Sequence, residues 1–250
     1  MPAFRTLKKY FSNYLPGLKE TEPAAAYNLW ATTYDSQPDN LMLAMDEELV
    51  SDLLSNINIE NKIAADIGCG TGRHWKKIIE RHPKKLIGFD VSEEMLKILQ
   101  NKFPSSETHL LINNELSSLD NESCDIIFST LTIAHIKDIN KALTEWSRVL
   151  KPGGNMIITD YHPTALAKGG KRTFSYNRKT VAVKNYVHSI AMLKEIAKQL
   201  GLQQISLIEK LIDETTKPYY EKQNALSIFE AWKGMPIIYG IHLKKTDAAL

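Results

Sequence analysis

Between Lys62 and Asp160, short apolar runs alternate with amphipathic stretches. "KIAADIG" is a continuous apolar run of the kind a strand buried on both faces requires. Trp75, Ile78, Ile79 and His82 then recur at helical spacing, predicting a helix that Pro83 ends. "KLIGFD" predicts a second strand. Ser92 follows as a helix N-cap, with Glu93 and Glu94 in the first turn and Met95, Leu96, Leu99 and Phe103 as the apolar stripe. Further strands are predicted at "THLLIN" and "CDIIFS", then a helix through Ile139, Leu143, Trp146 and Leu150, stopped by "KPGG", and a fifth strand at "NMIITD". Strands separated by helices of this length predict a parallel sheet covered on both faces.

The flanks follow other rules. Phe4, Leu7, Phe11 and Tyr14 are spaced as a helical face before Pro16-Gly17, which predicts a helix folded over the main body in preference to one lying on a membrane. "AYNLWATTYD" leads into a second helical pattern from Leu41 to Leu54, with Leu43, Glu47, Val50 and Leu54 on successive turns. From Tyr161 to His188 the rhythm breaks. Phe174 and Tyr176, then Val181 and Val183, alternate about the polar "NRK" and predict a two-stranded flap. Ser189 caps a helix that Gly201 ends, and "QQISLIE" and "PIIYGIHL" predict two closing strands around a helix through Leu226 and Phe229. The expected architecture is a Rossmann-like, doubly wound α/β fold with a seven-stranded, mostly parallel sheet. Residues 1–250 form one domain in this reading: a helical lid over 1–55, a core over 61–160, a flap over 161–188 and closing elements over 189–250.

Composition narrows the partners. In 250 residues, 31 basic and 29 acidic side chains give a net charge of +2, which announces no polyanionic partner, so no nucleic acid is expected. Cys69 and Cys124 are the only cysteines and stand in no metal-ligand spacing, so neither a disulfide framework nor a metal site is expected. No apolar run approaches the roughly 18 residues of a membrane span, and the N-terminus lacks a signal-type apolar block. The expectation is a cytoplasmic protein without a membrane span.

Candidate chemistry concentrates in "DIGCGTGRHW". A strand ending in Asp66, then Gly68, Gly70 and Gly72, then a helix beginning at Arg73, places glycines where the chain turns sharply and a ligand approaches its backbone. The helix start would add unpaired N–H groups that attract an anion. The second strand ends in Asp90, a carboxylate able to accept both hydroxyls of a ribose. Dinucleotide enzymes use G-x-G-x-x-G, but Arg73 holds the third glycine position here. Asp66 at the strand tip would also repel a diphosphate while suiting a ligand with an ammonium group.

"DIGCGTG", "GFDVSEEML" and "SCDIIFSTLTIAHIKDINKALTEWSRVLKPGGNMIITD" together resemble the class I S-adenosylmethionine-dependent methyltransferases, in the small-molecule, type 11-like branch related to quinone- and biotin-pathway enzymes. The resemblance runs from Tyr27 to about Asp160. It implies S-adenosylmethionine as cofactor, with Asp66, Gly68, Cys69, Gly70 and Gly72 about the aminocarboxypropyl arm, Asp90 on the ribose and Val91 against adenine. It further implies Asn113 or Asn114 near the adenine amino group, Thr130 and Leu131 facing the methionine moiety, and Tyr34 closing over the cofactor. Asn113 departs from the aspartate usual in relatives.

Methyl transfer from a sulfonium is an in-line displacement in which alignment and exclusion of water carry most of the acceleration. A proton must often leave the acceptor, and His162 in "TDYHP" and His188 in "NYVHS" are the candidate bases, with Tyr161 beside the first. His135 either braces its loop or touches substrate. Tyr27, Trp30, Tyr161 and Tyr176 are candidates for an aromatic enclosure, and Lys168, Lys171 and Arg172 for a clamp on a carboxylate or phosphate of a small-molecule substrate. An RNA or protein methyltransferase, a non-catalytic adenosyl-ligand binder and a nicotinamide oxidoreductase are the competing readings.

Overall fold

The computed structural model describes residues 19–247. The predicted helix over Phe4 to Tyr14 lies outside the described residues. In chain order the elements are β1 (Glu20–Thr21), α1 (Pro23–Tyr34), α2 (Leu41–Leu54), β2 (Ile63–Ile67), α3 (Trp75–Ile79), β3 (Lys85–Asp90), α4 (Glu93–Lys102), β4 (Glu107–Leu110) and β5 (Cys124–Thr130). They continue with α5 (Ile139–Val149), β6 (Leu150–Tyr161), α6 (Pro163–Ala167), β7 (Thr173–Tyr176), β8 (Lys179–Val183), α7 (Ile190–Gln199), β9 (Leu202–Leu211), α8 (Lys217–Lys222), α9 (Leu226–Trp232) and β10 (Pro236–Lys245).

Seven strands form one sheet in the order β4-β3-β2-β5-β6-β10-β9. Pairing is parallel from β4 through β6, and β10 alone runs against its neighbours. The pleat divides adjacent residues between two cores. Ala65, Ile127 and Ile158 pack with Leu143, Trp146 and Leu193 of α5 and α7 on one face. Ala64, Ile126 and Ile157 meet Val50, Leu53 and Ile78 of α2 and α3 on the other. Side-chain caps start the helices where expected: Ser92 accepts from the Met95 N–H and Ser189 from the Met192 N–H.

Three local expectations change. The helix after the glycine loop begins at Trp75 and ends at Ile79, because the chain turns again at His82, whose φ is +54°. The buried stripe of α2 is Met42, Met45, Asp46, Leu49, Val50 and Leu53, so Glu47 faces out. The flap is three-stranded: β1 joins β8 in parallel, outside the β7–β8 hairpin. That hairpin turns on Asn177 and Arg178, both left-handed at φ +47° and +62°, as a two-residue loop between twisted strands requires.

The flap and α1 share a small core in which Trp30 stacks on Phe174 with centroids 4.6 Å apart. Arg172, just before β7, is buried with its guanidinium 5.8, 5.5 and 5.6 Å from the ring centroids of Tyr27, Trp30 and Tyr34. Its Nη2 donates to the Tyr34 hydroxyl at 2.7 Å. This cation among aromatic faces ties flap to lid.

Asp46 ties α2 to the sheet. Its fully buried carboxylate accepts from Arg73, from the Thr159 hydroxyl on β6 and from His74 Nε2 at 2.9 Å. Burial pushes this carboxyl up, but the Arg73 guanidinium and the His74 ring prevail and hold it well below the usual carboxylate range. Replacing Asp46 by Asn removes a fully buried charge from between Arg73 and His74, and the expected loss is about 3 kcal/mol at pH 7, measured by urea denaturation. A loss under about 1 kcal/mol would show that the cluster does not hold the lid helix.

Candidate active site

The cavity that matters opens at the C-terminal ends of β2, β3 and β5, beneath α1, and measures about 420 Å³. Its floor begins in the glycine loop. Gly68 has φ +75°, and a Cβ there would lie 2.1 Å from Thr132 Oγ1, so the loop after β2 presses directly on the loop after β5. Gly70, at φ +53°, has no described atom within 4 Å of where a Cβ would stand, and it lines the cavity. The first glycine makes room for protein and the second leaves room for a ligand. Gly72 packs against Leu99, Phe103 and Trp75 and does not line the cavity.

The loop's amides are largely committed. Gly68 and Cys69 both donate to the Phe89 carbonyl, at 2.7 and 3.0 Å, and Gly72 donates to the Cys69 carbonyl at 2.9 Å. Gly70 N–H donates to Asp90 Oδ2 and Ser92 N–H to Asp90 Oδ1, both at 2.8 Å. A diphosphate cradle would keep such groups open to the ligand. The five-residue α3 starts at Trp75, so the expected anion site at an Arg73 helix start does not form, and Arg73 is spent on Asp46.

Asp90 lines the cavity beside Val91, with Asn113 and Asn114 across from them in left-handed conformation at φ +57° and +58°. Thr130 and Leu131 supply the β5 side. Tyr34 and Tyr27 descend from α1, and His135 rises from the short 3-10 turn Ile133–His135. That turn is fixed from below by Asp160, whose Oδ2 accepts the Ala134 N–H at 2.7 Å. Burial lifts the carboxyls of Asp90 and Asp66 to about 6 and that of Asp160 to about 7. Burial pushes the His135 ring the other way, to about 4, so it is neutral at pH 7.

Several candidates stand elsewhere. Asp66 does not line the cavity; its Oδ2 accepts the Trp75 indole N–H at 2.8 Å beneath the loop. Cys69 packs with Trp75, Leu96 and Leu99. His162 faces away: Nδ1 accepts the Thr164 N–H to cap α6, and Nε2 meets Glu209 at 2.7 Å. Tyr161 is buried with α2 and the closing helices. His188 Nε2 donates to the Ile136 carbonyl at 2.7 Å, and neither His188 nor Tyr161 lines the cavity. The candidate bases are therefore corrected to structural groups. So is the anion clamp: Arg172 is enclosed by aromatic rings, and Lys168 lies in a separate depression beside Ala231 and Trp232. Tyr176 is 40% exposed at the hairpin end and Trp30 is buried in the lid core, so neither reaches the cavity.

Thr132, Tyr186 and Lys137 do line it, although the sequence reading passed over them. Thr132 stands three residues beyond the fourth predicted strand, next to Leu131, and that position was the available signal. Tyr186 is tied to that turn by its N–H, which donates to the Ala134 carbonyl at 2.7 Å.

Comparison with known proteins agrees with this geometry. Residues 65–158 match a family described as a methyltransferase domain. A malonyl-[acyl-carrier protein] O-methyltransferase of Marinomonas sp. is 28% identical over 221 residues, covering 86% of this chain and 80% of the relative. A ubiquinone/menaquinone biosynthesis C-methyltransferase of Campylobacter jejuni is 32% identical over 112 residues, 42% of this chain and 46% of that protein. Among solved structures, an S-adenosylmethionine-dependent methyltransferase from Mesorhizobium loti superposes with TM-score 0.60 at 15% identity, over 77% of this chain and 95% of the other. The [4+2]-cyclase SpnF superposes with TM-score 0.66 at 13% identity, over 93% and 100%, a reminder that the fold alone does not choose the reaction. Taken with the glycine loop and the acid at the end of β3, these matches make residues 65–158 similar to a methyltransferase domain, on a fold shared with S-adenosylmethionine-dependent methyltransferases.

Proposed function

We propose that the protein methylates a small organic acceptor held between α1 and the loop after β5, with the cofactor on the glycine-loop side of the same cavity. The observation that carries this reading is the single enclosure of about 420 Å³ shared by Gly70, Asp90 and Asn113 on one side and by Tyr27, His135 and Tyr186 on the other. A space roofed by a helix admits a small molecule or a thin tether more readily than a duplex or a folded protein surface.

The residues present fit S-adenosylmethionine. Asp90 keeps acceptor capacity toward ribose hydroxyls while its two N–H donors fix its orientation. Val91 and Leu111 offer apolar contact to adenine, Asn113 and Asn114 polar contact, and Gly70 an unobstructed backbone. Tyr34 closes the methionine side from the lid. When bound, this cofactor supplies a methyl carbon activated by its sulfonium. The chain's part is to align the acceptor and exclude water: the lid, the flap and the Arg172 cage hold aromatic walls around the space. A charged histidine base has no place in this reading, because His162 and His188 lie outside the cavity and His135 is held neutral.

Isothermal calorimetry with S-adenosylhomocysteine tests the site. Asp90→Ala is expected to bind at least tenfold more weakly than the wild type. Gly70→Ala is expected to lose binding similarly while costing only about 1–2 kcal/mol of stability, since its left-handed backbone is strained but no described atom blocks the methyl group. Undiminished binding by both variants would contradict the assignment. Incubation with S-adenosylmethionine and a metabolite extract should then release S-adenosylhomocysteine.

The neutral His135 ring gives a separate pH signature. The fold holds it neutral down to about pH 4, whereas the unfolded ring takes a proton below about 6.5, so stability falls as pH drops through that window. The stability difference between the wild type and His135→Gln should narrow by about 2 kcal/mol from pH 7 to pH 5, read from urea unfolding. Parallel profiles would show that the ring is solvated.

A further inference from the structure

Tyr27 and Tyr34 stand on the same helix, with ring centroids 6.2 Å apart, and both line the cavity. Their surroundings give their hydroxyls opposite polarity. At Tyr34 the partner is a guanidinium, which can only donate, so the hydroxyl oxygen accepts from Arg172 and keeps its own proton for the cavity. At Tyr27 the partner is His135 Nε2, at 3.0 Å. The other ring nitrogen, Nδ1, lies 2.9 Å from the Lys184 carbonyl, an acceptor only, so Nδ1 carries the ring proton. Burial keeps the imidazole neutral, and burial also pushes the Tyr27 phenol far above its usual range, so neither partner changes protonation near pH 7. With Nδ1 protonated, Nε2 must accept, and the Tyr27 O–H must donate to it. Tyr27 has one proton and it is taken. What its hydroxyl retains is acceptor capacity alone.

Resting on the reading that this cavity holds the methyl acceptor, we propose that Tyr27 determines specificity by selecting an acceptor with a hydrogen on its nucleophilic atom, an alcohol, phenol or amine, against one presenting a bare carboxylate. An O–H or N–H group donates to the Tyr27 oxygen and turns its nucleophilic lone pair elsewhere. At Tyr27 a carboxylate would face that oxygen with lone pairs on both sides and would have to turn to the Tyr34 O–H or to Lys137 for a donor, a mismatch at this contact that discriminates by about tenfold. In the balanced reaction the acceptor's lone pair forms the new bond to the methyl carbon, the carbon–sulfur bonding pair stays on sulfur, and the proton left on the methylated atom passes to bulk water as the product leaves the cavity. The flap sets this preference from a distance, since the Lys184 carbonyl that fixes the tautomer follows β8 directly, and Lys184 N–H donates to the Thr21 carbonyl at 2.9 Å.

Two measurements decide it. In ¹⁵N-histidine-labelled protein saturated with S-adenosylhomocysteine, the His135 signals, assigned by their loss in His135→Gln, should show the Nδ1–H tautomer with Nε2 unprotonated. An Nε2–H tautomer or an imidazolium at pH 7 reverses the hydrogen bond and overturns the proposal without any reference to turnover. The product formed from the metabolite extract should carry its methyl group on a former hydroxyl or amine. A methyl ester, or a methyl group on any other atom, overturns it as well. With that acceptor, Tyr27→Phe should raise KM about tenfold, with a smaller change in kcat and unaltered affinity for S-adenosylhomocysteine. Absence of any methylated product counts against the proposed function, and the tautomer still decides the polarity of the site.

Discussion

The Asp90 carboxylate governs the geometry of the whole site. One oxygen takes the Gly70 N–H of the loop after β2 and the other takes the Ser92 N–H that opens α4. Two neighbouring chain reversals are thereby fixed by one buried acid whose remaining acceptor capacity faces the cavity. The Phe89 carbonyl, one residue earlier, receives the Gly68 and Cys69 N–H groups. These bonds fold the glycine loop against the end of β3. What it offers a ligand is bare backbone at Gly70 together with a carboxylate, an arrangement suited to a ribose and poorly suited to a diphosphate.

Around this rigid floor the roof is assembled from segments distant in sequence. Arg172 inserts between Tyr27, Trp30 and Tyr34, so the flap and α1 behave as one body. Asp46 fastens α2 to Arg73 and to β6. Asp160 fastens the turn that carries His135. Each of these buried ionisable groups is a poor contributor to net stability by itself but a strong constraint on where neighbouring segments sit. The cavity walls inherit their positions from them.

The repeated strand and helix units from Lys62 to Asp160 were legible because both periodicities are local: a parallel strand reads as an apolar run and its helix as a stripe. The turn at Asn177-Arg178 and the caps at Ser92 and Ser189 were legible for the same reason. The cavity-lining set Gly68, Gly70, Asp90, Val91, Asn113, Asn114, Thr130 and Leu131 lies at strand ends, where the fold converges its loops. The histidines were misread because a strand end has two faces. The partner of His162 is Glu209 on β9, a strand that adjoins β10 and is remote in sequence. Asp46 was invisible as a buried acid because its partners, Arg73, His74 and Thr159, meet only in the folded chain. Arg172 read as an anion clamp because nothing near it in sequence shows that the aromatic residues of α1 close around it.

Every role assigned to the site depends on one placement, that of the cofactor in the space between the glycine loop, Asp90 and α1. A crystal structure with S-adenosylhomocysteine measures it directly. The expected result is the ribose within hydrogen-bond distance of Asp90, the ligand's backbone approach at Gly70, and adenine between Val91 and Asn113 with the loop conformation unchanged. Ligand density at any other place on the protein, with this cavity holding only solvent, would contradict the account.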